Sequence, residues 1–90
     1  MRAVAFVSQD VTVSDFVYLG ENSVVLGYCA IETGAHIAPC SIIGDGTKVG
    51  RLALVTLGSV VTSDVPPYAI IRGNPAQITG QISRLNHAID

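Results

Sequence analysis

Ninety residues carry 5 basic and 7 acidic side chains, a formal charge of −2. Nucleic acid and anionic membranes both demand a basic footprint, so neither is expected as a main partner. Charged residues make up only 13% and hydrophobic ones 49%, no apolar run approaches the ~18 residues of a membrane span, and the length suits one domain.

No basic-then-apolar leader opens the chain, so a cytoplasmic protein is expected. Its two cysteines, Cys29 and Cys40, read as packing residues of a reducing compartment rather than a secreted disulfide framework. From Val7 onward every sixth residue is a branched aliphatic: Val7, Val13, Leu19, Val25, Ile31, Ile37, Ile43, Val49, Val55 and Val61. Val, Ile and Leu are 27 of the 90 residues. Ten successive hits in any of six registers then have a chance of order ~10⁻⁵, so this is a true internal repeat. A period of six fits neither the 3.6-residue helix nor simple alternation over such a length. It predicts a β-solenoid of hexads over residues 7–66, short strands and turns winding round a prism.

With the aliphatic in first position, the fifth positions are Val11, Val17, Ser23, Cys29, Ala35, Ser41, Thr47, Ala53, Ser59 and Val65. All are small or medium, as a tight corner requires. Alternation along a strand sends the fifth and the next first position inward and the sixth outward. The repeat is expected to end at Pro66-Pro67, where neither residue donates to a ladder. Residues 67–80 read as an extended return with a turn at Gly73-Asn74-Pro75. The helical spacing of Ile82, Leu85 and Ile89 predicts a short C-terminal capping helix over 81–88.

The run from Gly58 to Ala76, with Gly58-Ser59-Val60-Val61-Thr62 at one end and Arg72-Gly73-Asn74-Pro75-Ala76 at the other, resembles the C-terminal signature of hexapeptide-repeat acyltransferases. With the hexads before it, the resemblance covers roughly residues 7–80. It implies an all-β, left-handed parallel β-helix with three hexads per coil, against the usual right-handed crossover. It also implies a homotrimer with acyl-CoA between adjacent prisms. Residues 18 apart then stack. Val24, Ile42 and Val60 form an all-aliphatic outward face, the candidate subunit interface. Tyr18, His36 and Leu54 form a second outward face, and Thr12, Ala30, Lys48 and Pro66 the third.

His36-Ile37-Ala38-Pro39 is similar to a stretch of sialic-acid and amino-sugar acetyltransferases. The resemblance implies acetyl-CoA as co-substrate, with no resident cofactor and no metal, and a sugar or amino-sugar as small-molecule acceptor. A histidine takes the proton from the acceptor hydroxyl or amine as it attacks the thioester, and His36 is the candidate base. Lining the site, or standing exposed in solvent, are its other readings. The family's usual base positions here hold Gly27 and Cys40. Gly58, Ser59, Thr62, Arg72, Asn74, Pro75 and Ala76 are the candidate CoA-binding residues, Arg72 as a phosphate fork. Ser63 and Gln77 occupy positions where family members often carry a basic residue. The alternative is a shortened, non-catalytic trimeric solenoid or an interaction module that keeps the fold. A prism-shaped metal enzyme would need three histidines, and this chain has two.

Overall fold

A computed structural model describes residues 5–82. Ten two-residue strands occupy the sixth and first positions of successive hexads: β1 Phe6–Val7, β2 Thr12–Val13, β3 Tyr18–Leu19, β4 Val24–Val25, β5 Ala30–Ile31, β6 His36–Ile37, β7 Ile42–Ile43, β8 Lys48–Val49, β9 Leu54–Val55 and β10 Val60–Val61. They pair in parallel with the strand three further on, so Phe6 meets Val24, Tyr18 meets His36 and Ala30 meets Lys48. Three sheets result: β1-β4-β7-β10, then β2-β5-β8, then β3-β6-β9, the last extended by β11 Ala69–Gly73 and β12 Ala76–Gln81. They close the walls of a left-handed parallel β-helix with 18 residues per coil.

The hexad forms this shape because its turn is built at the third and fourth positions. The fourth residue takes a left-handed backbone at Asp10, Phe16, Asn22, Tyr28, Cys40 and Leu52, and at Gly34, Gly46 and Gly58. Its N–H then donates to the third-position carbonyl of the coil before, as Tyr28 does to Gln9 at 3.1 Å and Gly58 to Pro39 at 3.2 Å. Corners are therefore hydrogen-bonded as continuously as walls, which a buried or half-buried backbone requires. Glycine, asparagine and aspartate accept this conformation readily, whereas Phe16, Tyr28 and Leu52 carry a Cβ strain of about 1–2 kcal/mol each.

The inward ladder is the core. Val25, Ile31, Ile37, Ile43, Val49 and Val55 are wholly buried, and so are the corner serines Ser23, Ser41 and Ser59. Ser23 Oγ donates to the Gly20 carbonyl and Ser41 Oγ to that of Thr56, and among the described residues no fully buried side-chain oxygen or nitrogen lacks a partner. The packing leaves no slack at Gly20 and Gly50, where a proline of the next coil lies against the second position. A Cβ on Gly20 would lie 2.4 Å from the Pro39 nitrogen, and one on Gly50 2.5 Å from that of Pro67.

Pro66-Pro67 do not end the coil. Val65 bridges Val49, and Ile70 and Ile71 pair in parallel with Leu54 and Val55, each 16 residues back. Two residues are missing between Val61 and Val65, and the hexad resumes with Val65 in first position, Tyr68 on the left-handed corner and Ala69 buried. The prolines fit because Pro67 is in third position, whose N–H makes no coil-to-coil bond in the described hexads. Pro66 is in second position, and among the described residues no further coil stacks on it to receive an N–H. The outward residue opposite Lys48 is accordingly Asp64, not Pro66. With its corner gone, Lys48 lacks the carbonyl that Thr47 gives Ala30, and Asp64 Oδ1 accepts its N–H at 3.0 Å instead.

After Ile71 the chain reverses. β11 and β12 form an antiparallel hairpin around Asn74-Pro75, with a bulge opposite Ile70 and Ile71. β12 runs to Gln81, which pairs with Ala69, and Ile82 N–H donates to the Tyr68 carbonyl. Gln81, expected to open the capping helix, is thus strand. Ile82 is not helical either, and 83–88 of that expected helix lie outside the described residues. Among the described residues there is no helix, and hence none long and apolar enough to cross a membrane.

Candidate functional site

His36 projects from β6 on the third sheet, exposed, because its sixth position points outward while Ile37 fills the core. Its imidazole stacks on the Tyr18 ring of β3, with centroids 4.5 Å apart and planes inclined by 23°. Leu54 follows on the other side in the same register. The second candidate region lies at the far end of the same sheet. β11 is two strands from β6, about 10 Å along the prism at ordinary strand spacing.

There Ser59 ties the hairpin to the last corner. Its Oγ lies 2.9 Å from Thr56 Oγ1 and accepts the Gly73 N–H at 3.3 Å, while Thr56 Oγ1 reaches the Ile71 carbonyl at 2.9 Å. Ser59 is fully buried and its own N–H donates to the Thr56 carbonyl. Its atoms are committed inside the protein, so it holds the hairpin and does not line a groove. Gly58 beside it is exposed, and a Cβ there would meet nothing within 4 Å. Arg72, Asn74 and Pro75 are exposed at the hairpin tip, and half-buried Ala76 packs on the core. Thr62 is exposed at the other edge of the first sheet, beyond Val60–Val61. Gly58, Ser59, Arg72, Asn74, Pro75 and Ala76 thus gather at one corner, while Thr62 and His36 stand apart from it.

Cys40 occupies the left-handed corner directly before Gly58 in the same column, exposed and free; Cys29 is free and buried. Among the described residues no cluster of three metal-ligating side chains exists. Face by face, Val24, Ile42 and Val60 form the outward column of the first sheet, and Phe6, 58% exposed, extends it. Sequence reasoning missed Phe6 because hexads were counted from Val7, although Phe6 sits one position earlier in the same phase. It also missed Thr56, whose hydroxyl role needs the hairpin in place.

Three comparisons bear on this geometry. The chain is 45% identical over 56 residues to dTDP-3-amino-3,6-dideoxy-alpha-D-galactopyranose 3-N-acetyltransferase of Aneurinibacillus thermoaerophilus, 62% of this chain and 29% of that protein. A hexapeptide transferase family protein of Anaplasma phagocytophilum superposes with a TM-score of 0.85 at 18% identity, over 94% of this chain and 52% of that one. The chain belongs to the hexapeptide-repeat acetyltransferase family. Galactoside acetyltransferase in complex with coenzyme A shares the fold, with a TM-score of 0.75 and 18% identity over 91% of this chain and 57% of that one. No family model matches the chain. This hexapeptide-repeat chain spans about three-tenths of the length of the curated relatives it matches.

Proposed function

We propose that this chain is an acetyl-CoA-dependent acyltransferase, acetylating a hydroxyl or amine of a sugar or amino-sugar, and that it works in the cytoplasm as a homotrimer. One observation carries the reading. The 45% identity to an amino-sugar N-acetyltransferase coincides with an outward imidazole on the sheet that runs on into the hairpin. His36 is the base. It takes a proton from the acceptor as the acceptor's lone pair attacks the thioester carbonyl. Collapse of the tetrahedral adduct forms the ester or amide and expels the CoA thiolate, which recovers the proton from the imidazolium.

CoA lies against the last corner. Gly58, Asn74 and Pro75 are exposed to it, Thr62 stands beyond its reach at the far end of Val60–Val61, and the Arg72 guanidinium, exposed at the hairpin tip, suits a phosphate as a bidentate fork. Ser59 and Ala76 hold the hairpin that presents these groups. The column Phe6, Val24, Ile42 and Val60 is the subunit interface, a continuous apolar strip of the kind that marks a partner surface. The free thiols of Cys29 and Cys40 suit a reducing cytoplasm.

Thiol release from acetyl-CoA, with the amino-sugar nucleotide named for the Aneurinibacillus enzyme as acceptor, tests the reading. Turnover is expected, with His36→Ala lowering kcat by about a hundredfold or more. An unchanged kcat in His36→Ala would remove His36 from the chemistry. No turnover across a panel of amino-sugars, with no thermal shift in millimolar acetyl-CoA, would leave the non-catalytic solenoid.

A further inference from the structure

The imidazole of His36 has one structural peculiarity. Among the described residues no hydrogen bond or ion pair reaches either of its nitrogens. A general base is ordinarily aimed by a second group bonded to its far nitrogen. Here the ring is held by its faces. The parallel register sets Tyr18 and His36 side by side on adjacent strands, and the rings overlap at 4.5 Å and 23°. Leu54 stands in register beyond. The stack therefore runs along the ladder, from Tyr18 to His36. Tyr18 is itself 48% exposed and belongs to no part of the core cluster, so the fold does not depend on its ring.

We infer that Tyr18 is a positioning residue for His36, fixing the imidazole plane by stacking in place of a hydrogen-bonded partner. The inference rests on the reading of His36 as the base. The aromatic face is what matters, so Tyr18→Phe keeps the function and Tyr18→Leu loses it.

The test uses the full chain with acetyl-CoA and dTDP-3-amino-3,6-dideoxygalactose. In Tyr18→Leu, kcat is expected to fall about fivefold, the loss one aromatic pair would give, with the KM for acetyl-CoA unchanged. Tyr18→Phe restores kcat. The imidazole proton resonances give an independent reading, assigned by comparison with His36→Ala since the chain has two histidines. They are expected to show a ring-current shift in the wild type and Tyr18→Phe that disappears in Tyr18→Leu. A wild-type kcat in Tyr18→Leu, or no ring-current shift in the wild type, overturns the inference while leaving His36 as base. A wild-type kcat in His36→Ala, or no turnover at all, fells the base reading and the inference with it.

Discussion

Ile37 and Val13 hold the same place in the hexad and point the same way, yet Ile37 has no exposed surface and Val13 keeps 43%. Val7, in the same coil as Val13, keeps 41%. The difference lies in the neighbours. Ile37 has Leu19 on one side of its ladder and Val55 on the other, while Val13 has Ile31 alone among the described residues. Period decides which way a side chain points, and stacking decides whether it is buried. In a solenoid a residue's contribution is therefore nearly a sum over its adjacent coils.

Truncating both residues gives the strongest test. Ile37→Ala is expected to cost about 3–4 kcal/mol, because a closed wall collapses poorly around the cavity. Val13→Ala should cost about 1 kcal/mol or less, since much of its surface is already wet. Urea unfolding of the two variants measures the gap. Equal losses would mean that the first coil is covered in solution as fully as the second.

Glycines provide a second, smaller contrast between a stacked and an open position. A Cβ on Gly50 runs into the backbone of Pro67 in the next coil, whereas one on Gly46 meets nothing within 4 Å. Gly50→Ala should cost about 2–3 kcal/mol through forced separation of coils. Gly46→Ala should cost about 1 kcal/mol, from its positive φ alone. Thermal melts of both decide it. A milder Gly50→Ala would show that the fourth coil shifts freely over the third.

The inward ladder was legible because ten aliphatics in phase leave one way to point them. The coil of 18 came from the resemblance and is seen in the Phe6 to Val24 pairing. The last coil was not legible, for a definite reason. Val65 reads as a fifth position, 18 residues after Thr47, and the structure makes it a first position, 16 after Val49. Both positions face inward, so hydrophobicity does not separate them. The prolines then looked like a stop because the third position's freedom from ladder bonding is a property of the folded corner. His36's outward direction followed from phase. The burial of Ser59 followed too, but the hydroxyl bond that claims it for the hairpin depends on Thr56 and on where Gly73 turns.

The shortened coil can be probed at the residue that compensates for it. Asp64 supplies from its side chain the acceptor that an intact corner supplies from its backbone, at Lys48 N–H. Asp64→Ala should therefore cost about 1 kcal/mol, the size of a lost helix cap, since the geometry is the same carboxylate-to-amide bond. Asp64→Asn keeps an oxygen in place and should lose only a few tenths of that. Hydrogen exchange at the Lys48 amide is the sharper readout, because the bond is exposed and global stability registers it weakly. Faster exchange at Lys48 in Asp64→Ala, with Ala30 unchanged, would isolate the effect to the missing corner, as Ala30 still bonds the Thr47 carbonyl. Equal rates at Lys48 in wild type and variant would mean that the two-residue deletion is tolerated without any replacement acceptor.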